Sequence, residues 1–172
     1  MASTKISALT TDSAHDGQAD YLPTYDASAV TNKKVLAGRL GGFPVLLYSG
    51  SMTPADATTY YIGSVIGGTT SSATTNRIYI HKSGKLVKAR IFIVVAGTLA
   101  TTETSTISFR LNDTTDTTIS SAVNLSATPY TVVNSALTTA VAEDDYFCIK
   151  WVTPTWATNP TSVLVSFQLW FV

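Results

Sequence analysis

Residues Ser162 to Val172 read S-V-L-V-S-F-Q-L-W-F-V, and no other stretch limits the fold of this chain as strongly. Val163, Val165, Phe167, Leu169 and Phe171 alternate with Ser162, Leu164, Ser166, Gln168 and Trp170. A period of two belongs to a β-strand, so the odd-numbered set forms one apolar face and must be core. The even-numbered face is mixed. It carries Leu164 and Trp170, which a strand open to water seldom shows. The stretch predicts a strand buried on one side and covered in part on the other.

The same period recurs upstream. Pro44–Tyr48 and Tyr60–Val65 read as short strands, separated by the Gly50–Pro54 loop and followed by the Gly/Thr/Ser link Gly67–Thr75. Arg77–Ile80 leads through a turn at Lys82–Gly84 to a long strand, Lys85–Val95, with Val87, Ala89, Ile91, Ile93 and Val95 expected inward. Thr104–Leu111 turns Ile107, Phe109 and Leu111 inward. After a turn at Asn112–Asp116 come strands near Ile119–Leu125 and Tyr130–Val133. The acidic turn Glu143–Asp145 leads into Tyr146–Val152, where Phe147, Ile149 and Trp151 share a face. About eight strands at 8–12-residue spacing, with no useful helical period, predict an all-β fold. Their uneven lengths and the apolar last strand favour a single jelly-roll-like β-sandwich over residues 45–172.

Residues 1–44 differ. They are polar, punctuated by Gly17, Pro23, Gly38, Gly41 and Gly42, and hold only isolated apolar anchors. They read as an extended N-terminal arm draped on a partner chain or folded back on its own domain.

Composition narrows the function. Charged residues are 13% of the 172, about half the usual share. The polar surface must therefore come from 29 Thr and 18 Ser. Eleven basic and eleven acidic residues cancel, which argues against nucleic acid or an anionic membrane as partner. No apolar run approaches the ~20 residues of a membrane span, and M-A-S-T-K-I-S-A-L lacks the apolar core of a signal peptide. The single Cys148 excludes an internal disulfide and, by alternation, falls on the outer side of its strand.

Candidate chemistry is sparse. His15 and His81 lack a local ligand spacing, and no G-x-S-x-G, P-loop or G-x-G-x-x-G occurs. Asn112, Asp113 and Asp116 offer oxygens for Ca²⁺ but not the ligand series of an EF-hand, and Asx residues also form turns. Glu143, Asp144 and Asp145 are consecutive, so they do not face one cleft as a glycosidase pair must. No enzyme, metal or cofactor is expected. Trp156, with Tyr130 and Asn159, is a candidate sugar platform, set against the reading of Trp156 as a loop anchor packed on the domain. Two-sided apolar strands make Phe92, Leu164 and Trp170 candidates for an oligomer interface, set against a covering loop within one chain.

A resemblance adds to this reading. The arm segments I-S-A-L (Ile6 to Leu9), Y-L-P-T-Y-D (Tyr21 to Asp26) and T-N-K-K-V (Thr31 to Val35) resemble N-terminal segments of bacteriophage fibre and tail proteins. F-R-L-N-D-T-T-D-T (Phe109 to Thr117), V-A-E-D-D-Y-F (Val141 to Phe147) and P-T-W-A-T-N-P-T (Pro154 to Thr161) look like a β-domain of phage structural proteins. The common form of the acidic turn has Gly-Asp where this chain has Asp144-Asp145, which weakens the expectation of a positive-φ turn there. The resemblance implies a virion protein, a homotrimeric fibre or spike on head or tail. Its arm anchors would be Ile6, Leu9, Tyr21, Leu22, Pro23, Tyr25 and Val35, seated on other virion proteins, and its β-domain would project outward toward a host-surface glycan. The alternative is a carbohydrate-binding module with Trp156 as platform.

Overall fold

The structure, a computed structural model, describes residues 21–26, 31–36, 42–64 and 73–172. The chain divides into two compact units, residues 1–42 and 43–172. The division falls two residues before the expected boundary, because Phe43 and Pro44 already pair with Phe171 and Trp170.

In the first unit, β1 (Tyr21–Asp26) and β2 (Thr31–Leu36) form an antiparallel pair, from Tyr21↔Leu36 to Asp26↔Thr31. The reading of residues 1–44 as an extended arm named no strands within it. The backbone ladder supplies hydrogen bonds that no apolar period announces. Four anchor candidates, Tyr21, Leu22, Pro23 and Tyr25, lie on β1, and Val35 pairs with Leu22. Ile6 and Leu9 lie outside the described residues, as does His15.

The second unit is all-β. Its strands are β3 (Phe43–Met52), β4 (Thr59–Ile62), β5 (Ile78–Tyr79), β6 (Gly84–Val95), β7 (Thr104–Leu111), β8 (Thr115–Asn124), β9 (Tyr130–Asn134), β10 (Thr139–Val141), β11 (Tyr146–Val152) and β12 (Val163–Phe171). One sheet runs β10-β6-β12-β3, with β9 also on β6. The other runs β4-β11-β7-β8, with β5 also on β11. β9 and β10 follow one another along β6, and β4 and β5 along β11, so the ten strands of the described residues fill eight positions. By position, the first strand lies beside the eighth, then the third and the sixth; the facing sheet runs second, seventh, fourth, fifth. That order is a jelly roll.

The core lies between the sheets. Phe109 and Phe147 stack at 4.9 Å, and Phe171 meets them at 6.1 and 5.9 Å while stacking on Phe43 at 5.0 Å. Each such ring contributes ~2–3 kcal/mol by leaving water. Trp151 is fully buried, and its indole N–H donates to Ser105 Oγ at 2.8 Å, which removes the penalty of a buried unpaired donor.

Two bulges set which residues face outward. Trp170 pairs with Lys88 but Phe171 pairs with Leu86, so β6 carries an extra residue at Val87. Leu86 is therefore fully buried and Val87 only half-buried, reversing the inward placement expected from strict alternation. On the other flank, Leu164 pairs with Ser51 and Ser166 with Tyr48, leaving Ser49 and Gly50 opposite Val165. Gly50 takes φ 69°, the left-handed region that glycine tolerates. Buried Ser49 Oγ accepts from the Val165 N–H at 3.1 Å and donates to the Gly50 carbonyl at 2.8 Å.

Candidate functional site

The outer face of the β3–β12–β6 sheet is built by parity. With odd positions of β12 committed to the core, Leu164, Ser166, Gln168 and Trp170 must point away from it. Pairing then fixes their neighbours in rows. Trp170 lies between Pro44 and Lys88, Gln168 between Leu46 and Arg90, and Ser166 between Tyr48 and Phe92. Beyond β6, Val133 pairs with Arg90.

This face is apolar and open. Leu46 is 69% exposed, and Tyr48, Phe92, Val133 and Trp170 are all more than one-third exposed. Scattered apolar residues are ordinary on a surface, but five in adjoining rows of one sheet form a patch. The three interface candidates, Phe92, Leu164 and Trp170, thus come together on one sheet face. The covering loop once set against them, Gly67–Thr75, lies mostly outside the described residues.

Around Trp170 the face sinks into a hollow of about 660 Å³, whose walls include Pro44, Leu46, Lys88, Arg90 and Gln168. Lys88 and Arg90 are exposed, and neither takes part in an ion pair among the described residues. No acidic residue occupies the outward positions of the face.

The outer face of the other sheet is arranged differently. Asp116 accepts from Arg110 at 2.8 Å and from Lys150 at 2.6 Å. Arg77 pairs with Asp113 at 2.5 Å, and its guanidinium lies 4.0 Å from the centre of the Tyr146 ring. The hydrogen bond that Arg77 donates to Asp113 holds the Arg77 pKa above its ordinary value. Asn112 and Asp113, at φ 50° and 60°, are the two central residues of a tight hairpin turn, closed by Thr114 N–H to the Leu111 carbonyl at 3.1 Å. The oxygens once considered for Ca²⁺ are thus engaged, those of Asp113 and Asp116 by cations and Asn112 Oδ1 by the Tyr146 N–H at 3.1 Å, while Asn112 Nδ2 donates to Asp145 at 2.8 Å. Among the described residues no three His, Cys, Asp or Glu side chains gather as a metal site.

Beneath that charged layer lies Cys148. It is on the outer side of β11, as alternation places it, yet only 1% exposed. Burial pushes its thiol up to about 12. Such a thiol is a small packed hydrophobe.

The sugar-platform set is not assembled as the sequence offered it. Trp156 is 3% exposed and belongs to the core, so its ring presents no face to a ligand. The Pro-bounded loop is tied down by Trp156 N–H to Asp56 Oδ1 at 3.0 Å and Asn159 Nδ2 to the Pro54 carbonyl at 3.4 Å. Tyr130 packs against the core, its hydroxyl donating to the Ala122 carbonyl at 3.1 Å. The loop-anchor reading of Trp156 holds. The acidic turn does take a positive φ, 67° at Asp144, despite the missing glycine. It is fastened by Ala142 N–H donating to Asp145 Oδ2 at 2.7 Å, the main cause of a lowered Asp145 pKa.

Sequence reasoning did not single out Leu46, Tyr48, Lys88, Arg90 and Gln168 as one surface. Their outward parity was readable, but which strands flank β12 is a fact of topology. No family model, curated protein or solved structure matches the chain.

Proposed function

We propose that this chain is a bacteriophage virion structural protein, a homotrimeric fibre or spike whose jelly roll self-associates through the outer face of the β3–β12–β6 sheet. The observation that carries the reading is the apolar end of that face away from Trp170, where Tyr48, Phe92 and Val133 are exposed and Leu164 beside them is half-buried. A closed symmetric assembly removes such a patch from water, and jelly rolls recur in viral capsid proteins. The segments resembling fibre proteins supply the virion context: the arm anchors the protein to head or tail, and the β-domain projects outward.

The test is the molar mass of the full chain by light scattering at dilute concentration. About three times the chain mass is expected; a stable monomer sinks the self-associating fibre. For the arm, Leu22→Asp with Tyr25→Asp in the full chain abolishes incorporation into particles while the far-UV spectrum is kept. Unchanged incorporation removes the anchoring role.

A further inference from the structure

We propose that the hollow around Trp170 is a binding site for a carboxylated saccharide. The inference rests on the reading of the β-domain as an outward-presented virion module, and it names the ligand class that module takes.

Three kinds of group converge there. Trp170, 41% exposed, offers an indole face of the sort on which the apolar C–H face of a sugar ring packs. Leu46 and Pro44 extend that apolar floor across the neighbouring strand. Arg90 and Lys88, two residues apart on β6, stand on the opposite flank of β12 from that floor, and Gln168 between Leu46 and Arg90 supplies amide donors and an acceptor for hydroxyls. An arginine fork matches a carboxylate with two parallel hydrogen bonds, and a lysine beside it adds a point charge. The volume, about 660 Å³, lies in the range of small-ligand sites, which are mostly apolar with a few convergent polar groups.

Charge decides the ligand's sign. The two cations have no acidic partner on this face, whereas the cations of the opposite sheet are all paired. A neutral glycan would leave both unused. A nucleic acid is disfavoured by the small number of charges: backbone tracking needs a stripe of cations with repeated stacking rings, and this site has one exposed indole and a chain of zero net charge. The Phe92 row lies two residues along β6 from the Arg90 row and four from the Lys88 row, ~7 and ~13 Å away at strand rise, so self-association centred on Phe92 and Leu164 leaves the Lys88–Trp170 end of the hollow open.

The protein carries its own reporter. Trp151 and Trp156 are buried, so a ligand-induced change in tryptophan emission reads Trp170. The full chain is titrated at low salt with an oligouronate and, separately, with an oligosialate, and with neutral dextran and a single-stranded oligonucleotide as comparisons. Saturable change with at least one carboxylated glycan and none with dextran is expected. Arg90→Ala and Lys88→Ala should each weaken binding about tenfold with unchanged thermal midpoints, since charge-assisted contacts carry that much. Added salt should weaken it further.

No saturable change with either carboxylated glycan overturns the proposal, as does an Arg90→Ala variant that binds like the parent. Tighter binding of the oligonucleotide through the same two residues overturns it in favour of nucleic acid. Molar mass is read in the same samples. A trimer that binds neither glycan sinks the ligand alone, whereas a monomer that binds supports the site and sinks self-association.

Discussion

The two outer faces of this jelly roll are made of the same kind of strand and end up opposite in character. On the β4–β11–β7–β8 face, Arg77, Arg110 and Lys150 meet Asp113 and Asp116, and Cys148 is sealed beneath them. On the β10–β6–β12–β3 face, Lys88 and Arg90 stand without acids among Leu46, Tyr48, Phe92 and Trp170. The first face completes its own interactions within the chain. The second leaves charge and apolar area unspent, and unspent surface is where a partner or ligand finds binding energy.

Breaking the open face should give the largest effect. Phe92→Lys places a cation in the middle of the apolar rows and is expected to convert the assembly to monomer while leaving the thermal midpoint of the β-domain nearly unchanged. Thr118→Lys makes the matched change on the sealed face, where Thr118 is exposed beside Ser108, and should leave the molar mass untouched. Light scattering on both variants decides it. If both remain assembled, the two faces do not differ in the way their composition indicates.

The sealed face can be probed through its thiol. Folding raises the Cys148 pKa from the ordinary 9.0 to about 12, so the neutral thiol is favoured in the native state. Above pH ~9 the unfolded chain releases this proton and the folded chain keeps it, so the thiol's contribution to stability is whole below that pH and is lost as pH rises toward 12. Denaturant unfolding of the parent and of Cys148→Ala should converge by up to ~1.4 kcal/mol per pH unit between pH 9 and 11. At pH 8 a thiol reagent should react with the native protein only at the rate of its opening. Rapid stoichiometric labelling of native protein would show that the face is not sealed.

How much of this was legible in the sequence follows from what each feature depends on. The parity of Val163 to Phe171 is local chemistry, and with turn spacing it yielded the all-β class and the jelly-roll form. Leu86 and Val87 were assigned to the wrong sides because a bulge changes parity by one residue and leaves no mark in composition. β10 was missed because three residues carry no period. Trp156 is a case of a correct alternative: a tryptophan in a Pro-bounded loop packs inward because its area is worth more out of water than over it. The hollow was illegible for a different reason. Its cations sit on β6 and its indole on β12, separated by some 80 positions, and no local pattern reveals that those strands are neighbours. Trp170 itself was noticed, but its companions were not.

The smallest expected effect separates paired from unpaired cations most sharply. Asp116 is the carboxylate shared by Arg110 and Lys150, and its side chain is about one-third exposed. Asp116→Ala strips both cations of their acceptor on a face that also carries Arg77. Solvent screening keeps exposed pairs weak, so the cost should be about 1 kcal/mol, a fall in thermal midpoint of roughly 4 °C that shrinks at high salt. Arg90→Ala removes a charge of the same kind from the other face and should change stability by less than ~0.5 kcal/mol in either direction, because it has no ion-pair partner among the described residues. Thermal melts of the two variants at low and high salt measure both. If Arg90→Ala costs as much as Asp116→Ala, then Arg90 is already holding part of its own protein together, and the open face is less open than its geometry indicates.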